Sequence, residues 1–185
     1  MLLLGKCRSC GHKIGPTPLL IELAAIALGA ISVLLLPPSE ALAASIFGWL
    51  LLPLIILDYR HYWLPDRLII PLAIAGLLAG PTLTSSMTWS DRGAGLLAGF
   101  GVLEAIRLGF KRWRGYHGMG AGDPKLFGVL GIWMGWQTLP LILLGASAIG
   151  LCLALVTRLM FARPPDLLPF GSYLCAAAFL FVTLG

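Results

Sequence analysis

The sequence predicts an all-α membrane bundle of about seven transmembrane helices. Three observations predict it: 58% of the 185 residues are hydrophobic, only 11% are charged, and the charges gather between long apolar runs. A soluble domain carries about 25% charged residues, and apolar runs near 20 residues match the hydrocarbon thickness of a bilayer.

Seven segments carry this pattern: Pro18–Leu36, Ala41–Leu57, Leu68–Leu83, Gly93–Phe110, Leu126–Trp136, Pro140–Val156 and Leu167–Leu184. The fifth is short, rising about 16 Å at 1.5 Å per residue. Starting it at Pro124 lengthens it, because proline suits a helix's first turn. Residues 126–157 hold no charge. They are too long for one pass, and Gln137-Thr138-Leu139-Pro140 is the natural turn. A single pass there gives six spans. Residues 1–17 read as a short cytoplasmic stub with Cys7 and Cys10, and 18–185 as one membrane domain.

Orientation follows from lysine and arginine, which concentrate in cytoplasmic loops. With the N-terminus in the cytoplasm and seven spans, 12 of the 13 basic residues lie inside and only Arg92 lies outside. The six-span alternative also moves Arg158 and Arg163 outside. The net charge of +5 is scattered over these loops and is not collected on one soluble face, which argues against a nucleic-acid partner. The bilayer is the partner that the composition implies. No cleavable signal peptide is recognisable, since the charges of the amino terminus follow its short apolar start. Cys152 and Cys175, inside apolar runs, read as small hydrophobes.

Three aspartates then fall at cytoplasmic ends of spans: Asp58 closing the second, Asp66 opening the third after Pro65, and Asp123 opening the fifth. A carboxylate at the membrane boundary costs desolvation and is a functional candidate. Asp66 and Asp123 are equally well placed as helix caps or dipole partners. Asp58 is not, because a helix C-terminus disfavours an anion. Gly118, Gly120 and Gly122 before Asp123 allow another backbone, such as an extended peptide, to approach closely. Two neighbouring carboxyls hold one proton between them, so one can activate a water while the other polarises a carbonyl. The residues alone assign neither role.

Several polar residues have simpler readings. Glu104 and Arg107, three apart, form an intrahelical pair. Tyr59, Tyr62 and Trp63 suit an interfacial aromatic belt, and His61 a wet loop. Lys125 either stabilises the charge of Asp123 or binds the membrane surface. Asp166 is a loop residue, and Glu22 has no local partner.

An ordered set of motifs now resembles the bacterial type IV prepilin peptidases. The matching stretches are Gly5-Lys6-Cys7-Arg8-Ser9-Cys10, Lys13-Ile14 with Pro18-Leu19 and Glu22, and Leu57-Asp58 with Leu64-Pro65-Asp66 and Pro71. Gly118-Met119-Gly120-Ala121-Gly122-Asp123-Pro124-Lys125 and Leu168-Pro169-Phe170-Gly171 complete it. The resemblance implies an aspartic endopeptidase of the inner membrane with Asp58 and Asp123 catalytic. It also implies cleavage of prepilins or pseudopilins between a basic leader and a hydrophobic helix, with no cofactor. Gly120, Gly122, Lys125, Asp66 and Pro65 are the supporting residues. Full-length family members have an extra N-terminal span and a loop with two CxxC pairs, tied to metal binding and N-methylation. Here only Cys7 and Cys10 match, so cleavage without methylation is expected, and two thiolates, even with His12, fall short of a four-ligand zinc site. Arg60 stands where the family commonly has a second acidic residue. The alternatives are a non-catalytic pilus or secretion assembly component, a transporter with intramembrane carboxylates, and a presenilin-type aspartyl protease. A transporter predicts polar groups deep in several spans, and only Glu22 and Glu104 qualify.

Overall fold

The computed structural model describes residues 15–116, 118–160 and 168–184. These form seven helices and no strand: α1 (Thr17–Leu35), α2 (Pro38–His61), α3 (Asp66–Leu83), α4 (Trp89–Arg114), α5 (Gly122–Met134), α6 (Leu139–Met160) and α7 (Phe170–Leu184). Five of them, α1 to α4 and α6, are long and apolar enough to cross a membrane. The uncharged stretch 126–157 divides into α5 and α6 at Gly135–Thr138, as the turn residues predicted. Cys7, Cys10, His12, Arg163 and Asp166 lie outside the described residues.

Several helices extend past the apolar runs expected for them. Polar turns add to α2 as far as His61, and to α4 from Trp89 to Arg114. Each extension has a local cause. Thr88 and Asp91 make a reciprocal capping box at the start of α4. Lys111, Arg112 and Arg114 occupy its last turn, where cations complement the carbonyl dipoles, and Gly115 closes it at φ +80°.

The buried centre is α5. From Leu126 to Met134 every residue is buried, with α3 and α4 on its flanks. Trp133 is its largest core side chain. Its indole N–H donates to the Leu72 carbonyl at 2.9 Å, and its ring lies 4.7 Å from that of Phe47. The crossing of α4 and α5 is a backbone-to-backbone contact. A Cβ on Gly95 would stand 2.6 Å from the Gly131 carbonyl oxygen, and one on Gly99 2.8 Å from that of Phe127. Small residues permit so close an approach. Gly131→Leu is therefore expected to force α4 and α5 apart and to lower the melting temperature in detergent by well over 5 °C. An unchanged melting temperature would contradict this packing.

Arg92, the single exception to the charge bias, is buried at 2% exposure. Its guanidinium donates to the carbonyls of Ile132 and Trp133 at 2.8 Å, to those of Gly80 at 3.0 Å and Thr84 at 2.8 Å, and to the Thr84 hydroxyl. These groups belong to the final turns of α3 and α5, where carbonyls lack intrahelical donors. One side chain thus caps two helices. Its position reflects this bond set and not a loop-charge rule.

Candidate active site

Asp58 sits in the last turn of α2, and Asp123 in the first turn of α5. Both are buried at 5% exposure. They line one cleft of about 710 Å³, together with Asp66, Lys125, Tyr62 and residues 118–122. The tightest measure of their proximity comes from Gly171 in α7. A Cβ there would lie 3.0 Å from Asp123 Oδ1 and 3.1 Å from Asp58 Cγ. Those two distances hold the oxygen and the carbon within about 6 Å of each other, close enough for the carboxyls to interact strongly. The glycine stretch shapes the same wall. A Cβ on Gly122 would meet Leu64 Cβ at 2.6 Å, so only a bare backbone lets α5 start against the α2–α3 connection. Gly120 lies close enough that a Cβ would be 3.4 Å from Asp123 Oδ2. Pro65 is the N-cap residue of α3 and is buried.

The sequence argument leaves Asp58 at an unfavourable helix end. The fold supplies the compensation from elsewhere in the chain. The first turn of α7 abuts the last turn of α2, and Ser172 donates its N–H to Asp58 Oδ2 at 2.6 Å. The Ser172 hydroxyl reaches the same oxygen at 3.0 Å and the Ile55 carbonyl at 3.1 Å. A helix N-terminus, with its exposed N–H groups, thereby faces the anion that ends α2. The N-termini of α3, α5 and α7 all open on this cleft, a local field suited to carboxylates.

Lys125 has a partner that neither sequence alternative named. Its ammonium pairs with Asp66, at 2.7 and 2.9 Å from the two carboxylate oxygens, and joins the starts of α3 and α5 across the cleft mouth. Both side chains are substantially exposed, so the pair contributes little to stability. Asp123 makes no cap: α5 begins after Ala121 without a side-chain capping bond. Glu104 and Arg107 form the expected pair at 2.5 Å. Trp63 is exposed and shares the cleft mouth with Tyr62, whose φ of 52° closes α2 in the left-handed region. Glu22 is exposed on α1, outside the cleft. Ser172 and the clearance at Gly171 escaped the sequence reading. Their only signal was the Leu168-Pro169-Phe170-Gly171 stretch, which carries no chemistry on its face.

A multi-pass helical bundle with two buried carboxyls facing one polar cleft defines a class: an intramembrane protein with a paired-aspartate site. Comparison with known proteins narrows it. Residues 44–155 match the type IV leader peptidase family, and the chain belongs to that family. It is 36% identical over 186 residues to a prepilin leader peptidase/N-methyltransferase of Aeromonas hydrophila, covering 98% of this chain and 63% of the relative. A protein of the same name from Burkholderia pseudomallei (strain K96243) is 42% identical over 187 residues, covering 96% and 58% respectively. One from Pseudomonas aeruginosa is 37% identical over 184 residues, covering 98% and 63%. The chain therefore spans about six-tenths of the length of these curated relatives. No solved structure matches. The helices and the relatives together make this a multi-pass bacterial membrane protein.

Proposed function

We infer that this chain is a leader peptidase for type IV prepilins or pseudopilins, with Asp58 and Asp123 as its catalytic pair. The observation that carries the reading is the meeting of these two buried carboxyls, 65 residues apart in sequence, within about 6 Å in one cleft. Family membership gives the reaction class.

The chemistry follows from one proton shared by two carboxyls. The ionised carboxylate takes a proton from water as the water oxygen bonds to the scissile carbonyl carbon. The protonated carboxyl gives its proton to the carbonyl oxygen. Collapse of the tetrahedral intermediate breaks the C–N bond: the leaving amine takes up the proton that came from water, and one hydroxyl of the intermediate returns its proton to the other carboxylate as the C=O re-forms. One water is consumed, and a carboxylic acid and an amine result.

The substrate reading rests on charge and depth. A basic leader stays on the cytoplasmic side by the same rule that orients this chain, leaving the bond to be cut at the membrane surface. The cleft carries three carboxyls, Asp58, Asp66 and Asp123, against one ammonium, Lys125. With one proton shared between Asp58 and Asp123 and Asp66 paired to Lys125, the cleft keeps one net negative charge, which favours a basic leader despite the chain's net positive charge. The proposed setting is the inner membrane, with the N-terminus and cleft cytoplasmic. Arg92, engaged in capping, ceases to count against that orientation.

Two experiments test this. Co-expression with candidate prepilins and pseudopilins should convert at least one to a shorter form on a gel, and no processing of any would reject the activity. A reporter fused after Arg114 should read cytoplasmic and one after Ser90 periplasmic, and the reverse at either point would overturn the orientation.

A further inference from the structure

The first turn of α7 lies against both carboxyls. Gly171 supplies the clearance, and the next residue, Ser172, is buried and bonded to only one of them. Asp58 Oδ2 accepts both the Ser172 N–H and the Ser172 hydroxyl. A carboxylate oxygen has two lone pairs in its plane, so two donors occupy both. That leaves Oδ1 as the oxygen of Asp58 able to exchange a proton. The hydroxyl's single hydrogen is shared in a three-centre bond between Oδ2 at 3.0 Å and the carbonyl of Ile55, three residues before Asp58, at 3.1 Å. Ser172 therefore grips both the carboxylate and the backbone turn that presents it.

We propose that Ser172 is a positioning residue that locks Asp58 Oδ2 and directs all proton traffic of Asp58 through Oδ1. This rests on the reading of Asp58 and Asp123 as the catalytic pair. The lock fixes the carboxyl's rotation, which otherwise presents either oxygen to water. Small misplacements of a reacting group are expensive in rate. Because Ser172 does not line the cleft, its effect belongs to the chemical step. The backbone N–H survives any substitution except proline, so the side chain's share can be removed separately.

The test uses the purified full chain with a prepilin it processes. Ser172→Ala should lower kcat about tenfold with KM within twofold of the parent, because the missing bond is to a charged group and acts in the turnover step. Ser172→Thr, which restores the hydroxyl, should recover most of the lost kcat. Melting temperatures in detergent are measured alongside, and comparisons are made among variants that melt within a few degrees of the parent. Wild-type kcat in the alanine variant, a loss confined to KM, or a stably folded threonine variant no better than alanine would each overturn the proposal. Asp58→Asn separates the two levels. If it is inactive while Ser172→Ala is unimpaired, the lock alone fails. If Asp58→Asn cleaves normally, the reading of the pair fails.

Discussion

Asp58→Asn and Asp123→Asn are each expected to reduce prepilin cleavage by about three to four orders of magnitude, with the protein still folded in the membrane. An amide matches the carboxyl in size and can accept the Ser172 hydrogen bonds, so the cleft should keep its shape. What it cannot do is gain or lose the catalytic proton, and the loss of general acid–base function costs about 10² to 10⁴ in rate. Removal of either member should be nearly as damaging as removal of both, because the carboxyls act as a unit. Asp66→Asn should be much milder, since Asp66 only pairs with Lys125 at the exposed rim. Single-turnover cleavage rates at saturating enzyme decide it. A rate within tenfold of wild type in either Asn variant removes that residue from the pair.

Arg92→Ala should give the largest loss of stability available from a single surface-distant polar residue, about 3–5 kcal/mol. The deletion takes the Arg92 donor from the Ile132 carbonyl and one of two or more donors from the carbonyls of Gly80, Thr84 and Trp133, at the ends of two helices. Arg92→Lys should rescue little, because one ammonium cannot span acceptors that a planar fork bridges. Thermal unfolding in detergent measures both, and a lysine variant as stable as the parent would show that charge alone is what the site requires. The cleft lies at the opposite end of α5, so a stability loss here accompanied by normal cleavage at low temperature would further separate scaffold from site.

The sequence made the bundle legible because lipid imposes one dominant pattern: long apolar runs with charges between them. It located all seven helices but under-measured several. Hydropathy sees only the part of a helix that faces lipid, whereas the capping box at Thr88 and Asp91 and the basic last turn at Lys111–Arg114 continue α4 in polar residues. Asp58 and Asp123 stood out because each is a charge at an apolar boundary. Ser172 did not. A serine near a helix start is unremarkable until the fold brings it to a carboxylate 114 residues away. Arg92 misled the charge count for the same reason: its partners are backbone carbonyls, which have no sequence signature. The contact of Gly95 with Gly131 was likewise hidden, because small residues in apolar runs are common and only the pairing makes them an interface.

The shortness of α5 has a consequence for where the reaction takes place. Gly95 lies against Gly131 and Gly99 against Phe127, so α4 and α5 run antiparallel and Asp123 falls level with about Leu103. Beyond that level α4 continues to Arg114, eleven more residues or roughly 16 Å. The α5 rod itself rises about 20 Å, a third less than the hydrocarbon slab. The loop before α5 folds back over this shortfall, with Gly118 against the Phe110 ring of α4, and forms a wall of the cleft that the two carboxyls line. Under the proposed function, a substrate helix beside the bundle need bring only the few residues above its apolar stretch into this cleft.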